Sequence, residues 1–154
     1  MLGLTTNQDL NKHAKRMRLK KYRGVFMRDE ELPPLKDGKY IFNLDDESNT
    51  GTHWTALIVT TQRKPNIYFD SMGFSPPEEI IKFAKSKGDE LYYSTVAVQD
   101  DNSSACGYFV LYFLKYIQNT GGNILDSYYD FTHKLLTTDT KRNEKKLTSY
   151  FKKP

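Results

Sequence analysis

The stretch QDDNSSACGYFVLYFLKY, residues 99–116, contains the only cysteine of the 154-residue chain, at the point where a polar, serine-bearing loop gives way to a long apolar run. One thiol has no intramolecular disulfide partner, so it is either a small core residue or a reactive group. The apolar run predicts a buried helix from Cys106 to about Asn119, capped by Ser103 or Ser104, which sets Cys106 in the first helical turn. A helix N-terminus carries unpaired N–H groups and partial positive charge, and both favour the nucleophilic thiolate. Gly107 beside it would leave room for a substrate backbone. Position alone leaves the core-filling reading equally open.

A nucleophilic thiol needs a base. Of the three histidines, His13 sits in a cation-rich helical stretch and His133 lies beside Lys134 in a late amphipathic segment, so both read as helix-face residues. His53 differs, because in GTHW it opens a strand after a Gly-Thr turn and precedes Trp54. A strand end fixes the backbone and leaves the ring at the sheet rim, where sites gather. The base in turn needs a carboxylate to select its tautomer and stabilise the imidazolium. Asp70 closes the strand NIYFDS, and a hairpin across QRKP would bring residues 53 and 70 to the same end. A turn cap is the alternative use of that aspartate. Gln99 ends the segment LYYSTVAVQ, seven residues before Cys106, where its amide and the Cys106 backbone N–H could together stabilise a tetrahedral oxyanion. Asp100 and Asp101 compete as carboxylates, but within QDDNSSA they suit loop solvation and capping better.

The elements that must position these groups follow from periodicity. TTNQDLNKHAKRMRLKKY predicts a helix over about 6–22, with Thr6 as N-cap, Asp9 completing a capping box, and Leu10, Ala14 and Met17 facing inward. RGVFMRDEELPPLKDG reads as an irregular, proline-broken connector. KYIFNL, THWTALIVTTQ, NIYFDS and LYYSTVAVQ read as strands, with DDESNTG as a loop. SPPEEIIKFAKSKG predicts a helix capped by Ser75, with Pro76 in the first turn, Glu78 completing the box and Gly88 ending it. Two more helices follow, with Ile124, Tyr128, Phe131 and Leu135 as a buried stripe. This order describes an α+β domain, a small sheet covered by helices.

The chain is long enough for one domain with a real core. Its 38% hydrophobic content, with 11 Tyr and 9 Phe, excludes a disordered chain. The longest apolar run, Tyr108 to Leu114, is too short for a membrane span, and MLGLTTNQDLNK lacks the apolar centre of a signal peptide, so the expected setting is intracellular and reducing. The net charge of +4 conceals an asymmetry: residues 12–23 hold seven Lys or Arg without an acid, and residues 141–154 hold six against Glu144 alone. The remainder has ten basic and eighteen acidic residues. Such basic ends suit phosphate backbones or merely solvated helix faces.

Taken together, GTHW, IYFDS and VQDDNSSACGYFVLYFL order the groups as His, Asp, Gln, Cys, each at a strand end or helix start. This resembles the adenovirus-protease and Ulp-type SUMO-protease superfamily of cysteine peptidases, whose signature is His-Trp, an acid after an apolar strand, then Gln shortly before a Cys-Gly helix start. The order is opposite to that of papain. The resemblance covers residues 51–117; in addition YRGVFMRDEELPP looks like the N-terminal segment of related enzymes of virophages and Polinton-type elements. It implies a cysteine-peptidase fold with a mixed sheet over residues 1–154, with the basic helix at about 6–22 and a basic tail at 141–154. It also implies Cys106 as nucleophile, His53 as base and then acid, Asp70 as orienter, Gln99 in the oxyanion hole, and Trp54 and Gly107 lining the substrate site. The implied activity is cleavage of viral capsid or core precursors next to small residues such as glycine, in the virion or the host-cell virus factory, by a monomer that needs no metal. The adenovirus enzyme's activating peptide is tethered through a second cysteine, which this chain lacks. A peptide or DNA activator would therefore bind noncovalently. The competing functions are a deconjugase of ubiquitin-like modifiers, an acyltransferase reusing such a Cys-His site, and a basic DNA- or capsid-binding protein with an inactive site.

Overall fold

The computed structural model describes residues 2–44, 53–60 and 65–152. Its elements are α1 (Asn7–Arg16), β1 (Tyr22–Met27), β2 (Gly38–Asn43), β3 (Trp54–Val59), β4 (Asn66–Phe69), α2 (Glu78–Ala84), β5 (Leu91–Tyr93), α3 (Cys106–Asn119), α4 (Ile124–Asp130) and α5 (Thr140–Phe151), with a π-helical turn at Phe131–Leu135 after α4. The strands lie side by side in chain order. The three central strands pair antiparallel, whereas β1 joins β2 and β5 joins β4 in parallel, so the sheet is mixed.

Side-chain alternation explains why the central strands read as apolar throughout. Ile41, Trp54, Ala56, Ile58, Ile67 and Phe69 face a core shared with α1, α3, the α4 region and α5. Tyr40, Phe42, Leu57, Val59 and Tyr68 face the other way, onto Ile80 and Ala84 of α2. A strand buried on both faces has no polar phase, and all six residues of β3 are buried. Helix α3 crosses the first face as predicted, with Phe109, Val110, Leu111, Phe113 and Leu114 fully covered. Phe113 stacks on Phe69 at 4.5 Å, and Phe131 meets both edge-on. Each such side chain contributes about 1.5–3 kcal/mol by burial, so this seam is a principal tie between helix and sheet. The α+β fold, a small mixed sheet covered by helices, is the one expected.

Four expectations need correction. The connector after α1 contains a strand, β1: Gly24, at φ +115°, sits beside a register shift, an irregularity that breaks the alternation by which a strand is read. Helix α1 forms its Thr6–Asp9 capping box but stops at Arg16. Beyond it Arg18 and Lys21 turn left-handed, and α3 takes over the backbone, Gln118 bonding Lys20 N–H and Arg18 C=O while Lys115 Nζ donates to Met17 C=O. Met17 is accordingly half-buried. Helix α2 starts three residues after Ser75, with Pro77 as an uncapped N-cap in extended conformation. A residue before proline avoids the helical region, so Pro76 cannot open the helix. The helix ends at Ala84, and Gly88, at φ +84°, closes a later turn. Finally, LYYSTVAVQ pairs only over Leu91–Tyr93. Beyond them, Ser94 N–H bonds the Tyr128 hydroxyl and Val98 N–H bonds Ser71 C=O. The stripe after α3 is buried at Tyr128 and Phe131 and half-buried at Ile124 and Leu135. The DDESN loop, the Gly51-Thr52 turn and most of TTQRKP lie outside the described residues.

Candidate active site

His53 sits immediately before β3, and its carbonyl accepts Leu44 N–H at 3.0 Å, extending the β2–β3 ladder by one pair. The backbone is thus fixed where the ring leaves the sheet. Asp70 follows β4 across the antiparallel hairpin, as the strand spacing predicts. His53 Nε2 lies 2.9 Å from Asp70 Oδ2 and 3.0 Å from Oδ1, with the carboxyl side chain fully covered. Oδ1 also accepts Met72 N–H at 2.8 Å, and Gly73 N–H closes the turn onto Asp70 C=O. Gly73 is required there: φ is +79°, and an added Cβ would stand 2.6 Å from Thr95 C=O.

A carboxylate only accepts hydrogen bonds, so Nε2 carries a proton and Nδ1 is left to face Cys106. His53 is hydrogen-bonded to the Cys106 side chain. Burial by itself pushes the imidazole's affinity for protons down, but the hydrogen bonds from Asp70 and Cys106, with their negative charge, outweigh it and raise the His53 pKa to about 10. The ring thus holds its proton more tightly than a free imidazole does. Cys106 is the first residue of α3 and is only 4% exposed. The helix has no side-chain cap: Ala105 occupies that position, and Ser103 Oγ instead accepts Ala105 N–H.

Gln99 is buried between the residue after Asp70 and the loop before Cys106, and its amide is fixed at both ends. Ser71 Oγ donates to Oε1 at 2.5 Å, while Nε2 donates to Ser103 C=O at 3.0 Å. One Nε2 hydrogen is thereby used and a second remains. The structure thus brings His53, Asp70, Cys106 and Gln99 to one end of the sheet at the start of α3.

The other two expected residues are placed differently. Trp54 is 2% exposed within the same core as Cys106, so it backs the site and offers a substrate no surface. Gly107 is also buried, and its bare Cα makes room for the chain itself: a Cβ there would stand 2.1 Å from Thr5 Oγ1 and 3.1 Å from Leu10 Cδ2. The space expected at Gly107 for a substrate backbone is taken by Thr5, just before α1, and by Leu10 of α1. His13 packs edge-on against Tyr108 and Phe151, and His133 stacks on Tyr129, both away from the Asp70 pair. Among the described residues, no group of three or more His, Cys, Asp or Glu could hold a metal, and no helix is long and apolar enough to cross a membrane. Ser71 escaped the sequence reading, although its place directly after Asp70 was the available signal.

No family model matches the sequence, and no curated protein matches it. Solved structures do. The chain superimposes on the crystal structure of ASFV pS273R protease with a TM-score of 0.59 at 18% identity, covering 90% of this chain. The selenomethionine form of that protease gives 0.58 at 17% identity, again over 90%. This chain spans 64–65% of the length of those structures. The similarity establishes a shared fold.

Proposed function

We propose that the protein is a cysteine endopeptidase in which Cys106 is the nucleophile, His53 the proton carrier, Asp70 its orienter and Gln99 an oxyanion donor. The observation that carries this reading is the pairing of His53 with buried Asp70 through Nε2 and with the thiol on the first turn of α3. The thiolate sulfur attacks the scissile carbonyl carbon, and the carbonyl electron pair moves to oxygen, where the free Nε2 hydrogen of Gln99 meets it. Collapse expels the amine, which takes the proton held on His53. Water, deprotonated by the now neutral imidazole, then hydrolyses the thioester and frees Cys106.

The likeness to a protease of the same fold supports the reaction class. Substrates are inferred from the sequence: viral capsid or core precursors, cut next to small residues such as glycine, during maturation in the virion or virus factory. The virophage-like segment YRGVFMRDEELPP supports that setting. The basic ends favour DNA as a noncovalent partner, since the edge contact of His13 with Phe151 brings α1 and the end of α5 together.

The test is the rate of Cys106 alkylation by iodoacetamide against pH, read by intact mass, in the wild type and in His53→Ala. The wild type is expected to react well below pH 8, and the variant to lose that acid limb. A thiol that is inert, or ordinary in both proteins, would sink the proposal and leave the binding-protein reading. Cleavage of a ubiquitin-like fusion in preference to capsid-precursor peptides would redirect it to the deconjugase.

A further inference from the structure

An oxyanion donor is useful only if its hydrogen points where charge will develop, and a glutamine amide can flip. Here the flip is blocked by a connected set of hydrogen bonds. Ser103 C=O is an obligate acceptor, so the amide end facing it must be Nε2; Ser71 Oγ–H then completes Oε1. Ser71 is itself fixed, because its carbonyl accepts the N–H groups of Val98 and Gln99. Ser103 is held in turn from outside the loop: its hydroxyl donates to Glu144 Oε1 on α5. The next residue back, Asn143, is 2% exposed and donates through Nδ2 to Val98 C=O at 2.8 Å. Helix α5 thus grips the Gln99 segment at both ends, by Asn143 before it and by Glu144 after it. Glu144 is the one acid among the basic residues of 141–154, and it points at the loop that precedes the nucleophile.

We propose that Ser71 and Glu144 are positioning residues for the oxyanion donor: Glu144, from the C-terminal helix, holds the Ser103 loop, and Ser71 holds the amide, so that Gln99 presents its second Nε2 hydrogen to the reacting carbonyl. This rests on the peptidase reading and adds α5 to its machinery.

The prediction separates two reactions of one sulfur. Alkylation by iodoacetamide displaces iodide at a saturated carbon and creates no oxyanion. Acylation by benzyloxycarbonyl-glycine p-nitrophenyl ester forms the S–C bond, moves the carbonyl pair to oxygen and then expels p-nitrophenolate. Both are measured on the full chain, with circular dichroism to confirm the fold. Ser71→Ala and Glu144→Ala are expected to acylate about 5–50-fold more slowly, and Gln99→Ala on the order of 10² more slowly, while alkylation stays within about twofold of wild type. Glu144→Gln keeps an acceptor oxygen for Ser103 and should restore most of the rate. Equal losses in both reactions, or a Glu144→Ala protein that acylates at the wild-type rate, would overturn the assignment. A wild type that is alkylated readily but acylated no faster than free cysteine would instead overturn the peptidase reading, and this inference with it.

Discussion

At the residue scale, the decisive feature is a histidine whose proton is held from two sides. Replacing Asp70 by Asn removes its negative charge and leaves burial, which pushes the His53 pKa down, opposed only by Cys106. The ring's titration in Asp70→Asn, followed by NMR at its Cε1, is expected to fall by more than about one pH unit, with turnover slower by on the order of 10². An unmoved midpoint would show that Asp70 does not hold the proton. The same shift has a stability consequence. The folded pKa, about 10, lies above the ordinary 6.5, so the native state binds the proton more tightly. Its stabilisation is complete below pH 6.5 and is lost as pH rises toward 10. The stability difference between wild type and His53→Gln, from denaturant unfolding at several pH values, should therefore shrink across that window. His13 and Lys39, whose pKa values burial lowers, act in the opposite sense, and the difference measurement cancels them.

At the element scale, the approach of the segment before α1 to the nucleophile's helix gives a second prediction. Gly107→Ala forces a methyl against Thr5 Oγ1, and overpacking of this kind costs about 1–3 kcal/mol. Thr5→Ala removes the obstructing hydroxyl, which is buried without a partner among the described residues, so it should cost little alone and relieve the penalty in the double variant. Additive losses in chemical denaturation would contradict this close approach. The elements most legible in the sequence were those in which local pattern and burial agree: α3, the capping box of α1, and the β3–β4 hairpin with His53 and Asp70 at its open end. Strand β1 was hidden because an edge strand carrying a glycine irregularity lacks alternation. The α2 start was misplaced because Ser75 looks like a cap until the rule for the residue before Pro77 is applied to Pro76. Gly107 was assigned to substrate because its neighbour in space, Thr5, is a hundred residues away in sequence. Ser71 and Glu144 share that cause, since hydrogen bonds spanning 28 and 41 residues leave no periodic trace.

At the scale of the whole molecule, the charge asymmetry acquires a geometry. Exposed Lys12, Lys15 and Arg16 of α1 and Lys141, Arg142 and Lys145 of α5 belong to helices that meet at His13 and Phe151, so charges at opposite ends of the sequence are carried by neighbouring elements. Binding of a duplex DNA oligonucleotide, followed by fluorescence anisotropy, should weaken steeply with salt. Converting either trio to Gln should lower the slope of log K against log salt by roughly 0.9 for each phosphate no longer neutralised. Salt-independent binding, or none at low salt, would assign the basic faces to solubility.

The site also divides along a seam. His53 and Asp70 belong to one hairpin and move with the sheet, whereas Cys106 and Gln99 belong to α3 and the segment leading into it. Between these halves run the Phe69–Phe113 stack and the hydrogen bonds that tie Ser71 to Val98 and Gln99. Sliding the helix along the sheet would therefore alter the spacing of sulfur and imidazole while leaving the His53–Asp70 pair untouched. The gauge of the site is therefore how α3 seats on the sheet, fixed at an aromatic joint away from the reacting atoms.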